Sequence, residues 1–260
     1  VRRALVLGLL LAAGAAAAAP PLAPRDSALL APRGSWSVGV LEPLRYAVSD
    51  RVTLSAHPLL CALAPNAGAE VALGRVGGVV LAGEAGASVP TLALRVLQGH
   101  LLPEWKTSGR TVGLSLVPHA GVRASRALGE PGLLTVSADV AVGLTRPLGE
   151  TQGLGAPAPL ELLLAPALGG VRTRAGVLGE WALRPRLRLR LQGDLFHYDA
   201  GGSPWSTRVG AGVDVGVGVH GRLALGAQWW SSDQHAYDFA SGEHHRSHDF
   251  LPTLDFIWAG

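Results

Sequence analysis

The sequence predicts an all-β protein, an up-and-down antiparallel transmembrane β-barrel of about twelve strands, and three observations carry that prediction. The first is period-two alternation. Between 209 and 219, Val209, Ala211, Val213, Val215, Val217 and Val219 fall on one face, and Gly210, Gly212, Asp214, Gly216 and Gly218 on the other. A helical stripe starting at Val209 would need Gly212 and Gly216 in its core, so the strand template wins. The second is a shortage of charge. Charged residues make up 16% of the chain and hydrophobic ones 48%, whereas a soluble surface alone is about 25–35% charged. After the N-terminus no apolar run reaches the ~20 residues of a spanning helix, so the hydrophobicity is spread along the chain. The third is that short and long connections alternate, as expected when the two rims of a barrel differ.

Taken in order, residues 1–19 read as a targeting signal. Arg2 and Arg3 form a basic region, "ALVLGLLLAAGAAAAA" is apolar, and small residues near Ala17–Ala19 suit cleavage. Cys61 is the one cysteine. It excludes an internal disulfide and lies too far along for a lipid anchor after the signal. Residues 20–35, "PPLAPRDSALLAPRG" with its flanks, read as a Pro/Ala-rich periplasmic lead-in with no period. Residues 36–260 form the barrel. Its alternating segments are 36–48, 51–60, 66–74, 77–88, 111–126, 132–145, 171–183, 187–198, 206–218, 221–232 and 248–259. The first breaks phase at Glu42-Pro43 and reads as two short strands. That gives about twelve, with about ten as the alternative, because single-chain bacterial barrels carry an even number. "SD" at 49–50, "RP" at 184–185 and "HG" at 220–221 are short turns, and 89–110, 146–170, 199–205 and 233–247 are long connections.

Alternation does not say which face is inside. A soluble barrel binding an apolar ligand in the periplasm would point its apolar face inward, and a membrane barrel would point it outward. Strand length favours the membrane, since a bilayer takes about 9–11 tilted residues. The polar face is rich in Gly, Ser, Thr and opposed charges, which suits a crowded wet lumen. Trp36, Trp181, Trp205, Trp229, Trp230 and Trp258 fall near strand ends, where aromatic girdles belong.

With its signal segment, alternating strands and closing strand "FLPTLDFIW" (250–258), the chain resembles bacterial outer-membrane β-barrel proteins. The stretch "SWSVGVLEPLRYAVSDRVTLSAHPLL" also resembles uncharacterised, porin-like barrel proteins of myxobacteria-like Gram-negative bacteria. The resemblance implies the outer membrane as the location, with membrane lipid and lipopolysaccharide as surroundings. It also implies recognition of the C-terminal strand by the barrel-assembly machinery. It implies no activity.

Charges on the polar face are the candidate site. Arg172, Arg174, Arg186, Arg188 and Arg190 come from two adjacent strands, and Glu180, Asp194, Asp214, Asp139, Asp249 and Asp255 supply counter-charges. Either the two signs pair and close a narrow barrel, or the arginines line a path that favours anions. "SGEHHRSHD" brings His244, His245 and His248 together, a weak candidate for zinc or nickel in a surface loop where nothing fixes the spacing. His57 and His119 are read as lumenal hydrogen-bonding groups. Ser115 and His119 share a face but stand roughly 13 Å apart along a strand, too far for a nucleophile and its base. There is no GxSxG and no match to the His-x-Ser-Asn-Gly pattern of barrel phospholipases. No enzyme, cofactor or metal is expected, and a net charge of +3 gives no reason to invoke nucleic acid. The expected function is a passive pore for small polar or anionic solutes. The alternative is a non-conducting structural or surface-interaction barrel with an ion-paired lumen.

Overall fold

The computed structural model describes residues 21–98, 112–144, 164–168, 170–198, 205–232 and 247–260. The signal segment 1–19 therefore lies outside the described residues. Twelve antiparallel strands close into one barrel in sequence order, with β1 beside β12. They are β1 Trp36–Gly39, β2 Leu44–Ser49, β3 Val52–Ala56, β4 Asn66–Val76, β5 Val79–Ser88, β6 Val117–Ala127, β7 Gly132–Val142, β8 Val171–Arg184, β9 Leu187–Tyr198, β10 Trp205–Val217, β11 Gly221–Ser232 and β12 Ser247–Ala259. The phase break at Glu42-Pro43 is a true strand break, so the ten-strand alternative is corrected to twelve. Strand β3 is shorter than the alternation suggests. Pro58 begins a one-turn helix, α1 (Pro58–Cys61), whose N-cap is His57, and proline suits the first helical turn because it has no N–H to lose. Likewise β6 starts at Val117 and not near 111. The helix α2 (Thr91–Val96) and a 3₁₀ turn (Ala165–Leu168) sit in the long connections.

The apolar face points outward. On β12, Phe250 and Leu254 are 69% and 63% exposed, while Asp255, the next residue along, is 7% exposed. On β10, Val209 is 55% exposed and Asp214 1%. A wall that is greasy outside and polar inside needs lipid around it, and closure leaves it no free edge where the strands pair. The tight turns gather at one end. Between β4 and β5 the link is Gly77-Gly78, with φ of +54° and +81°. Both values are left-handed, which is the two-residue geometry that matches strand twist.

The glycines of the inner face give charged side chains their space. A Cβ at Gly176 would lie 2.5 Å from an Asp194 carboxylate oxygen, and one at Gly39 would lie 2.6 Å from Asp255.

Residues 21–35 correct the sequence reading most sharply. They are not a lead-in outside the barrel. They arch through the short-turn half of the bore and return to β1. The Leu22 N–H donates to the Pro185 carbonyl (2.8 Å), the Ala28 N–H to Ser125 Oγ (2.8 Å), and the Gly34 N–H to the Ala47 carbonyl (2.8 Å). The physical reason is charge: Arg25 and Asp26 complete ion pairs that the wall leaves open.

Candidate functional site

The site is the bore, and it is built from alternate residues of successive strands. Period two fixes which side chains enter it, and the register between strands fixes which of them meet.

Toward the long-connection end, Asp139 of β7 lies opposite Arg174 of β8. Its carboxylate pairs with Arg174 and with Arg172 (3.4 Å). Asp194 of β9 takes Arg208 of β10 at 2.7 Å and reaches Arg174 at 3.9 Å. Arg208 lies over the Trp230 ring (5.2 Å) and near Phe196 (5.9 Å), and those two rings stack at 5.7 Å. On the adjoining strands, Arg123 of β6 bridges Glu70 of β4 (3.1 Å) and Glu84 of β5.

Nearer the short-turn end, the arch joins the wall. Arg25 forks onto Asp214, with Nε to Oδ2 at 3.1 Å and Nη2 to Oδ1 at 3.0 Å, and its Nη1 reaches Glu42 at 2.7 Å. The Arg25 N–H donates to Glu180 (3.2 Å), a residue with no exposed surface. Asp26 accepts from Arg45 and Arg190, both at 2.8 Å. Its φ of +55° is the one left-handed value of a non-glycine among the described residues, a conformation aspartate tolerates better than most. Burial works against the Asp26 charge, but Arg45, Arg190, Arg25 and Arg123 outweigh it and hold this carboxyl well below the usual carboxylate range. Arg188 and Arg222 donate to the carbonyls of Leu22 (2.9 Å) and Ala23 (2.6 Å). Arg190 also lies 3.6 Å from Glu180, and Arg222 lies 3.4 Å from Asp214.

Asp255 has a different task. Its carboxylate accepts from the backbone N–H groups of Val40 (2.8 Å), Leu41 (3.1 Å) and Glu42 (3.1 Å), and so holds the β1–β2 link against β12.

Among the described residues, two cavities are found in the bore. One of about 310 Å³ lies beyond the arch and is lined by Arg174, Gln192, Arg208, Leu41, Thr253 and Asp255 among others. The other, about 470 Å³, lies at the short-turn mouth against Leu22, Leu30, Trp36, Arg186 and His220.

The structure brings Arg172, Arg174, Glu180, Arg188, Arg190, Asp139, Asp194 and Asp214 into the bore, where opposite charges meet. Arg186 lies in the β8–β9 turn, where it lines the short-turn mouth of the bore and donates to the Gly218 carbonyl at the rim. Trp230 is a correction, because it cannot be in the girdle. Neighbours on a strand point to opposite faces. Trp229 is 41% exposed outside, so Trp230, at 4%, faces the bore. Trp36, Trp181 and Trp258 lie toward the short-turn end of the wall, and Trp205 and Trp229 toward the other. His57 is also not a wall residue. It caps α1, with Nε2 at 3.0 Å from the Leu41 carbonyl. His119 is on β6, opposite Ala141. Ser115 lies before that strand, and its N–H donates to Thr91 Oγ1 (2.9 Å). His244 and His245 lie outside the described residues, and His248 stacks on Trp229 at 5.4 Å. Among the described residues no three metal-ligating side chains cluster.

Alternation missed Arg25, Asp26 and Glu42, which lie outside the regular strand pattern. The available signal was a charged pair, Arg25-Asp26, inside an otherwise apolar, proline-rich stretch.

No family model matches the chain, and no curated protein matches its sequence. Solved structures do match. An outer-membrane channel of Pseudomonas putida F1 is 12% identical, with a TM-score of 0.53, over 92% of this chain and 100% of that one. The fold is that of a bacterial outer-membrane β-barrel. OmpT of Vibrio cholerae (12% identity, TM-score 0.44) and the outer-membrane channel DcaP of Acinetobacter baumannii (11%, 0.39) are also similar, each over 84% of this chain. This chain spans 64% of the length of OmpT and 61% of DcaP. None of these likenesses bears on the resemblance of the opening strands to myxobacterial barrels.

Proposed function

We propose that this protein is an outer-membrane channel for small polar solutes whose bore is closed, in the state described, by its own N-terminal segment. The supporting observation is the Arg25–Asp214 fork, which fixes the arch across the bore between two cavities. The short-turn end would face the periplasm and the long connections the outside, as in bacterial barrels generally. The ion pairs of the bore leave little surplus positive charge, so the reading favours polar solutes over a selective anion path. We assign no reaction to the barrel.

Planar-bilayer recording tests this reading. The intact chain should give small or rare conductance steps. A variant lacking residues 21–34 should give steps several-fold larger. Equal conductance of the two forms would show that the arch is not the barrier. Absence of conductance in both would favour the second reading, a closed barrel with a structural or surface role, which the extent of ion pairing also supports.

A further inference from the structure

The wall has uneven height, and the step falls between β12 and β1. Barrel closure rests on Ser37–Ala259, Val38–Trp258 and Gly39–Ile257. Beyond that, residues 247–256 of β12 have no partner strand on their β1 side among the described residues. At about 3.3 Å per residue and a tilt of about 35–45°, this edge rises roughly 25 Å, comparable with the ≈ 25 Å apolar band of such barrels. The neighbouring strands are short: β1 ends at Gly39, β2 begins at Leu44 and β3 ends at Ala56. The result is a notch in the wall at membrane depth.

Local chemistry supports the notch. Asp255 takes up the N–H groups of Val40, Leu41 and Glu42, so β1 is diverted from the ladder with its donors satisfied. Pro252 fits the free edge. Gly260 exchanges both backbone hydrogen bonds with Trp36 of β1, whereas the Ala259 N–H donates toward β11. Even-numbered residues of β12 therefore address the β1 side, and Pro252 has no N–H to present there. Proline within a sheet belongs on such an edge. On the inner side of this edge, Thr253, Asp255 and Leu41 line the 310 Å³ cavity. On the outer side, Phe250, Leu254 and Val40 are exposed.

We propose that the notch is a lateral passage between the bore and the lipid, and that it admits single-chain amphiphiles with a net-neutral polar head. The head would occupy the cavity, where the arginines already face carboxylates and a head carrying its own balanced charges or hydroxyls meets least opposition. The chain would extend past Leu41 and Leu254 into the membrane. This inference rests on the membrane-barrel reading but not on axial conductance. Removal of the arch tests the bore and lipid access tests the notch, so either can fail alone.

The test is quenching of a fluorophore by a monoacyl phosphocholine that carries a nitroxide on its chain, in phosphatidylcholine vesicles. In a Cys61→Ser background the fluorophore is attached at Thr253→Cys, which is lumen-facing at the notch. The comparison is Ser137→Cys, lumen-facing on β7 behind the paired strands β6 and β8. Leu41→Cys serves as a second notch reporter if the first variant does not insert, with insertion checked by heat-modifiable gel mobility. Quenching at 253 or 41 should exceed that at 137 several-fold and saturate with added probe. Quenching at 253 and 41 no greater than at 137 would overturn the proposal. So would a covalent dimer of a Leu254→Cys variant in the same vesicles, because a second copy would then cover the edge.

Discussion

Arg25 grips Asp214 with two parallel hydrogen bonds of 3.1 and 3.0 Å, joining a residue upstream of the first strand to the short-turn half of β10. Fork geometry of this kind is among the strongest side-chain pairings. Asp214 is 1% exposed, so removing its partner leaves a buried charge answered by Arg222 at 3.4 Å.

Arg25→Ala should therefore loosen the arch and raise conductance, by an amount approaching that of the variant lacking residues 21–34. Loss of one partner of a buried pair costs about 3–5 kcal/mol in general, enough to change the occupancy of the docked arch. The exchange Arg25→Asp with Asp214→Arg should restore part of the closure but not all of it, because Glu42 and Arg222 then face like charges. Single-channel recording of the single and double variants gives the answer, and additive behaviour would show that the pair does not hold the arch.

The matched charges of the upper bore predict an ion selectivity close to neutral when the arch is removed. Asp139→Asn should change this, because Arg172 and Arg174 both lean on that carboxylate. The reversal potential in a salt gradient should then shift toward anions. No shift would mean that ions do not pass beside β7 and β8.

Asp255 and Gly39 form a unit. A Cβ at position 39 would meet the carboxylate at 2.6 Å, so Gly39→Val should displace Asp255 from the β1–β2 link. Hydrogen bonds to a charged group are each worth about 1.5–3 kcal/mol. Gly39→Val and Asp255→Ala should both lower the temperature of heat-modifiable unfolding in detergent. Asp255→Asn, which keeps one acceptor oxygen for the Val40 and Leu41 N–H groups and loses the one that serves Glu42, should lower it less than Asp255→Ala.

The face assignment makes a prediction about insertion. Val177 is midway along β8, half exposed on the outside, and paired with Val136 and Gly193. Val177→Arg should reduce the membrane-inserted fraction, with a cost of about 2–4 kcal/mol at mid-depth. Gly176, its neighbour, faces inward against Asp194. Gly176→Ala should therefore leave lipid insertion intact and perturb the ion pairs instead, which selectivity recording would detect.

The strands were legible because burial in a barrel wall writes itself as alternation. Strands β9 and β11 match their sequence bounds, and β7, β8, β10 and β12 differ by a few residues at their ends. Glu42-Pro43 announced the break between β1 and β2. Where reading failed, the signal was not periodic. Pro58 ends β3 early by starting α1, yet "RVTLSAHP" continues the alternation up to it. Trp229-Trp230 looked like one interfacial pair, although adjacent residues on a strand must face opposite ways.

The sequence by itself determined which residues of each strand share a face, since residue order sets the face of every strand position. It placed Arg172, Arg174, Glu180, Arg190, Asp194 and Asp214 on the polar face, and strand length with a glycine-rich polar face pointed the apolar one outward. Only the tertiary structure decided how those charges are matched. Pairing depends on the register between strands and on the path of residues 21–35, and neither is written in local periodicity. The charged polar face could have meant an open arginine-lined path. Arg25 and Asp26, brought back into the bore from before the first strand, set an ion-paired segment across that path instead, because the buried charges of the wall are stabilised only when opposite charges stand within hydrogen-bonding distance.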